Sequence, residues 1–294
     1  MPISNNRYNL KQFEARVSSN RKLLSYPGAT YYLIELLTSN KLAELAPGQF
    51  MMLKCGGDTL LRRPISIHSA LSDNVFQLLY ALSSANIQDS ESRVNRSCEV
   101  KSSNETGKNL LSKLKPDDEI DVIGPLGNGY SISSKAKSLL LIAGGIGIAP
   151  LRFLAERAVT MNKSVTILMG ARFPNGLYPR HLLPGNANVV TIVENCDNNS
   201  LYKEGLVVDL LPQYLEDHDQ VFACGPNAMY RAMSDVIKKC CYKGSVQVSL
   251  EVRMGCGFGV CYGCSIKTRQ GMKRVCQEGP VFNIKDIIWQ EVKI

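Results

Sequence analysis

Four cysteines near the C-terminus carry the densest chemical signal. They lie in Glu251-Val-Arg-Met-Gly-Cys256-Gly-Phe-Gly-Val-Cys261-Tyr-Gly-Cys264, with the fourth in Val275-Cys276-Gln-Glu-Gly-Pro-Val-Phe282. The spacing is C-x4-C-x2-C, then eleven residues to the last thiol. Such an arrangement wraps three cysteines around one side of a [2Fe–2S] cluster and returns the fourth from a later turn. Thiolates are soft ligands that suit iron, sulfide and zinc, and Gly255, Gly257, Gly259 and Gly263 let backbone amides approach without side chains in the way. A structural zinc site normally takes paired C-x2-4-C units, and only Cys261 with Cys264 has that form. Cys256, Cys261, Cys264 and Cys276 are therefore expected to ligate two irons.

Two glycine-rich turns offer a second kind of chemistry. Ala143-Gly144-Gly145-Ile-Gly147-Ile-Ala149-Pro150 follows the apolar run Ser138–Ala143 and opens a helical pattern. Amides there can face a pyrophosphate at the positive helix end; taken singly, a tight turn with no ligand fits as well. Cys224-Gly225-Pro226 ends another strand-like run, at what would be the carboxyl edge of the same sheet. In the N-terminal half, Arg63-Pro64-Ile65-Ser66 sets an arginine and a hydroxyl three residues apart on an extended segment. Arginine's planar fork suits a diphosphate. Three residues along a strand place two side chains on opposite faces unless Pro64 kinks it.

The elements that must hold these residues fall into three blocks. Residues 7–133 read as a β-barrel: Phe13–Val17, Thr30–Leu36, Phe50–Lys54, Val75–Tyr80 and Glu119–Ile123 are short, β-branched or aromatic, and separated by turn residues. A polar stretch, 83–106, interrupts them as an inserted loop. Residues 134–245 alternate strand-like runs (Val165–Met169, Val189–Val193, Gln220–Ala223) with helical stretches (Pro150–Ala158, Leu206–Leu211, Asn227–Lys239), the pattern of a parallel α/β sheet. Residues 246–294 form a tail too small for a core of its own, so metal ligation is expected to order it.

Composition sets bounds. The 294 residues are 45% hydrophobic and 20% charged, an ordinary globular balance. A net charge of +8 is dispersed, without the basic block that nucleic-acid binding would need. Ten cysteines include six without paired spacing (Cys55, Cys98, Cys196, Cys224, Cys240, Cys241), which argues for a reducing compartment. No basic segment leads into an apolar one at the N-terminus, and the longest apolar run, Leu139–Ala155, is broken by glycines, Pro150 and Arg152. The expected location is the cytoplasm. His68, His181 and His218 have no mutual spacing that suggests a metal or a triad.

Taken together, Arg63-Pro64-Ile65-Ser66, Gly124-Pro-Leu-Gly-Asn-Gly129, Gly144-Gly145-x-Gly147-x-Ala149-Pro150 and Cys224-Gly225-Pro226 stand in an order that resembles the ferredoxin-NADP reductase superfamily, a flavin-binding β-barrel followed by a nicotinamide-binding α/β domain. Ser249 through Cys276 and on to Phe282 looks more specifically like the electron-transfer subunits of B-type, NAD-dependent dihydroorotate dehydrogenases. The resemblance implies FAD along the barrel, with Arg63 to Ser66 at its pyrophosphate and ring edge, Leu79-Tyr80-Ala81 along the flavin, and Gly107 with Lys108 at a phosphate. Members usually carry arginine where this chain has Ala81 and threonine where it has Lys108. It also implies NAD at the two glycine turns, with Cys224 beside the nicotinamide; a buried small hydrophobe is the other reading of that cysteine. The implied partner is an FMN-containing catalytic subunit that oxidises dihydroorotate. Other readings on the same scaffold are a reductase subunit of the sulfhydrogenase or ferredoxin:NAD(P)H oxidoreductase type, and a redox sensor without turnover.

Overall fold

The computed structural model describes residues 11–39, 41–42, 44–56, 61–83, 107–196 and 201–292. Residues 7–10, Cys98 and all of the expected 83–106 insertion except Ser83 lie outside them.

Alternating inward and outward side chains make the first strands two-faced, and a two-faced antiparallel sheet can bury one face by curling on itself. The strands are β1 (Gln12–Tyr26), β2 (Ala29–Thr38), β3 (Phe50–Leu53), β4 (Arg63–Ser72), β5 (Val75–Ser83) and β6 (Glu119–Leu126), with a short helix α1 (Gly107–Leu111) before the last. They close in the order β1-β2-β5-β4-β3-β6, β6 returning to β1 from Gln12 opposite Ile123 to Arg16 opposite Glu119. The expected barrel is thus fully closed, leaving no open edge. Val17, Ile34, Leu36, Leu53, Ile67, Phe76, Leu78 and Val122 fill it; each such side chain contributes about 1.5–3 kcal/mol on burial. In β4, Ile65 and Ile67 are buried while Pro64 and Ser66 are half-exposed, so Pro64 and Ser66 share the outer face.

The second unit is a parallel sheet. Its strands β7 (Ser138–Gly144), β8 (Ser164–Ala171), β9 (Asn188–Val193), β10 (Lys203–Glu204), β11 (Gln220–Cys224) and β12 (Ser245–Ser249) alternate with helices α2 (Ile148–Thr160), α3 (Leu211–Tyr214) and α4 (Asn227–Lys239). The strand order is β10-β9-β8-β7-β11-β12. The order reverses between β7 and β11, and the crevice beyond the carboxyl ends of strands at such a switch point is where open α/β sheets take ligands. Leu206–Leu211 departs from the expected helix. Val207–Leu210 is a 3₁₀ turn, and the α-helix begins only at Leu211, with Pro212 in its first turn, where the missing amide costs no hydrogen bond.

The cysteine segment follows, with β13 (Ser265–Thr268) and β14 (Gly271–Arg274) as a hairpin, helix α5 (Val275–Glu278) and β15 (Val281–Asn283). β15 runs antiparallel to β12, Ser249 opposite Val281 and Gln247 opposite Asn283, and forms the seventh strand of the sheet. Besides the expected metal ligation, packing against the two larger units orders the tail. Val252, Ile266, Val275, Ile284, Ile287 and Trp289 are buried in one core with Phe50 and Met52 of the barrel and Val246 and Val248 of the sheet. The segment borrows two larger units' cores, which a local pattern of residues does not display.

Candidate functional site

At the switch point β7 and β11 are neighbours, with Ala143 opposite Cys224, so the two glycine-rich turns lie side by side. A β-carbon on Gly147 would collide with the Cys224 carbonyl, so only glycine permits that approach. Above the turns is a cleft of about 250 Å³ with three walls. The barrel supplies Phe50, Pro64, Ile65, Ser66, Leu79, Tyr80, Ala81 and Lys108; the sheet supplies Gly144, Gly147, Ala149, Pro150, Cys224, Gly225 and Pro226; the cysteine segment supplies Glu251, Val252, Met254 and Pro280. An adjoining cavity of about 620 Å³ shares Pro64, Lys108, Gly225 and Pro226 and adds Arg63, Arg62 and Arg253. Of the residues singled out for the two nucleotides, Gly145 and Gly107 are set back from both cavities, as are the four clustered cysteines; a β-carbon on Gly107 would meet the Arg63 Nε at 3.1 Å.

The two adjacent arginines differ. Arg62 Nη2 is held 2.6 Å from Asp121 Oδ2, whereas among the described residues Arg63 bonds only the Leu61 carbonyl, at 3.0 Å. With Arg63, Lys108 and Arg253 around it, the second cavity suits a diphosphate. Among the described residues the buried amide oxygen of Asn109, next to Lys108, has no hydrogen-bond partner.

Cys224 sits where the sheet meets the cleft. Burial, then the nearby Glu251 carboxylate, push its thiol up to about 12, while hydrogen bonds with Tyr230 and Ser249 pull the other way. Tyr230 Oη donates to the Ser249 carbonyl at 2.6 Å and accepts from the Gly225 amide at 2.9 Å. The thiol is therefore a neutral, polarisable group and not a nucleophile. His68 is buried between barrel and sheet, bonded to the Ala149 carbonyl and to Tyr178 Oη, each at 2.9 Å. His218 bonds the Tyr214 carbonyl at 2.6 Å, and His181 is exposed.

The four clustered thiols are not joined by disulfides and fall into two pairs. The amides of Cys256 and Cys261 each point at the other's sulfur, at 3.5 and 3.4 Å. Cys264 Sγ lies 3.3 Å from Cys276 Sγ and accepts from the Cys276 amide at 3.4 Å. A structural zinc needs its ligands around one point; a two-iron cluster needs two thiolates on each iron, which this pairing offers. Among the described residues no three His, Cys, Asp or Glu side chains gather as a single-ion site. Burial opposes ionisation of Cys256, but amides of Cys261, Phe258 and Val260 aimed at its sulfur bring it down to about 7. Cys264, bonded by Cys276 and by backbone amides, falls to about 6. Phe258, Val260 and Tyr262 are 37%, 69% and 63% exposed, so all three present apolar surface to solvent.

Residues 251–288 match the iron-sulfur cluster binding domain of dihydroorotate dehydrogenase B, and residues 141–235 match the oxidoreductase NAD-binding domain. The dihydroorotate dehydrogenase B (NAD(+)) electron transfer subunit of Caldanaerobacter subterraneus subsp. tengcongensis is 30% identical over 282 residues, covering 95% of this chain and 99% of its own. That of Desulforamulus reducens is 33% identical over 272 residues, covering 89% and 93%. The chain belongs to the family of dihydroorotate dehydrogenase B electron-transfer subunits. Its fold matches that of an NADH-dependent reduced ferredoxin-NADP oxidoreductase, with a TM-score of 0.75 at 22% identity over 94% of this chain and 90% of that one. A ferredoxin reductase from carbazole 1,9a-dioxygenase gives 0.61 at 19% over 80% and 66%. The structure adds residues that motif reading leaves out. Glu251, Val252, Met254 and Pro280 line the cleft because the cluster segment is one of its walls, and Phe50 lines it from the barrel. The signal was the placement of Glu251-Val-Arg-Met directly before the first thiol. No helix among the described residues is long and apolar enough to cross a membrane.

Proposed function

We propose that this chain is the electron-transfer subunit of an NAD-linked dihydroorotate dehydrogenase, carrying electrons from a dihydroorotate-oxidising FMN partner subunit through a [2Fe–2S] cluster and FAD to NAD+ in pyrimidine biosynthesis. The single observation that carries the reading is the three-walled cleft: barrel, nucleotide sheet and cysteine segment all border one space. A flavin exchanges two electrons with a nicotinamide as hydride yet gives or takes them singly with an iron–sulfur centre, so the protein's task is distance and environment.

The residues divide accordingly. Cys256 and Cys261 hold one iron, and Cys264 and Cys276 the other. Arg63 grips the FAD pyrophosphate, Pro64, Ile65 and Ser66 follow the ring edge, Leu79, Tyr80 and Ala81 pack along it, and Gly107 and Lys108 complete the phosphate end. Gly144, Gly145, Gly147, Ala149 and Pro150 receive the NAD pyrophosphate, with Cys224, Gly225 and Pro226 beside the nicotinamide. Phe50 and Met52 share one apolar core with Cys264 and Cys276, which excludes water between the thiols and the flavin face. The exposed Phe258, Val260 and Tyr262 around Cys261 form the docking face for the FMN partner.

Purified protein should show flavin and [2Fe–2S] absorption that NADH bleaches, and should co-purify with a partner that oxidises dihydroorotate. Cys276→Ser should remove the cluster bands while NADH still reduces the flavin. A colourless protein holding only zinc would end the reading.

A further inference from the structure

The segment carrying Cys256 and Cys261 is neither helix nor strand, so its side contacts must fix it. One side chain reaches it at two points. Arg274, the last residue of β14, donates from Nη1 to the Gly259 carbonyl at 2.8 Å. Its Nη2 reaches Glu278 Oε1 at 2.8 Å and its Nε reaches Glu278 Oε2 at 3.4 Å. The Arg274 amide donates to the same carboxylate at 2.7 Å, and the guanidinium carbon lies 4.9 Å from the Tyr262 ring centroid. Gly259 stands between Cys256 and Cys261, Tyr262 between Cys261 and Cys264, and Glu278 two residues past Cys276. One guanidinium therefore ties together the chain segments that deliver all four thiols.

We propose that Arg274 is a positioning residue for the cluster: it straps the 256–264 loop onto α5, and its charge eases reduction of the cluster. The proposal rests on the cluster assignment above. With side chains 23% and 32% exposed, the Arg274–Glu278 pair is not a fully solvated surface contact, and its two-point geometry adds direction to attraction. Stacking on Tyr262 uses the flat face that lysine lacks. The guanidinium sits on the Gly259 carbonyl and the Tyr262 ring, both inside the thiol-bearing loop, and a cation near the sulfurs favours the more negative, reduced state.

The test uses the full chain with its cofactors bound. The rate at which an iron chelator bleaches the cluster bands, and the midpoint potential from an EPR-monitored titration, are compared for wild type, Arg274→Gln, Arg274→Lys, Glu278→Gln and a control, Arg269→Gln, whose Nε bonds the Lys285 carbonyl. Arg274→Gln should lose its cluster about tenfold faster, the effect of roughly one charge-assisted hydrogen bond, and its potential should move negative. Arg274→Lys should lose the cluster faster yet keep most of the potential, separating geometry from charge. Wild-type rate and potential in Arg274→Gln, matching Arg269→Gln, would overturn the proposal. If Arg274→Gln takes up no cluster, Glu278→Gln decides: faster loss supports the strap, an unchanged rate refutes it. Absence of cluster bands in the wild-type chain would count against the functional reading, not against the strap.

Discussion

Acidification should weaken the contact between barrel and sheet through His68. This side chain is 1% exposed. Burial, reinforced by the nearby Arg152 cation, lowers its pKa from the ordinary 6.5 to about 3, against the upward pull of the Ala149 hydrogen bond. Because the Ala149 carbonyl can only accept, the Nδ1 proton is fixed there, and Tyr178 Oη donates to Nε2. The sign follows from linkage. Between pH 6.5 and 3 the unfolded chain binds this proton and the folded chain does not, so stability is full above 6.5 and falls as pH drops. Each pH unit in that window withdraws about 1.4 kcal/mol, so roughly 2 kcal/mol is lost by pH 5. For a chain of this size that is on the order of 4 °C in melting temperature. The assay compares melting at pH 7.5 and pH 5 for wild type and His68→Gln, because groups titrating identically in both chains cancel in the difference. The variant should melt lower at pH 7.5, having lost part of the buried network, and should then lose about 4 °C less than wild type on acidification. Equal losses in both chains would refute the reasoning.

Gly257→Ala should destabilise by about 1–3 kcal/mol and lower cluster content, since Gly257 has φ +84° and a β-carbon would sit 2.5 Å from Met52 Cγ; urea unfolding and iron content check it. Arg63→Gln should raise the flavin dissociation constant by about 10–100-fold, an effect of roughly 1.4–2.8 kcal/mol, read from recovery of free-flavin fluorescence. Arg62→Gln, whose guanidinium is already committed to Asp121, should leave flavin affinity within a few-fold of wild type. Cys224, with its thiol pushed up to about 12 by burial, should resist iodoacetamide at pH 8 while the exposed Cys241 is alkylated, as peptide mass mapping will show.

What could be read from the sequence was what is local. The thiol spacing, the glycine turn after an apolar strand and the alternation that closes the barrel are encoded within stretches of a few residues. Helix α4 runs from Asn227 to Lys239 as its pattern predicts. What could not be read was pairing across distance. The partnership of β15 with β12 joins segments more than thirty residues apart, and the choice between Arg62 and Arg63 depends on Asp121, far along the chain. Leu206–Leu211 shows the local limit: its apolar run suits a helix, yet the helical backbone proper waits until Pro212 can sit in a first turn. Arg274 was invisible for a different reason, since an arginine two residues before a thiol looks like any surface cation until its fork is seen on Gly259 and Glu278.

The seventh strand, Val281–Asn283, comes after every thiol in the order of synthesis. A ribosome must therefore have released the whole cysteine segment before the nucleotide sheet can acquire its last edge. A nascent chain stalled at Cys276 would lack more than an iron ligand: it would hold an unfinished sheet, with β12 still open to strangers.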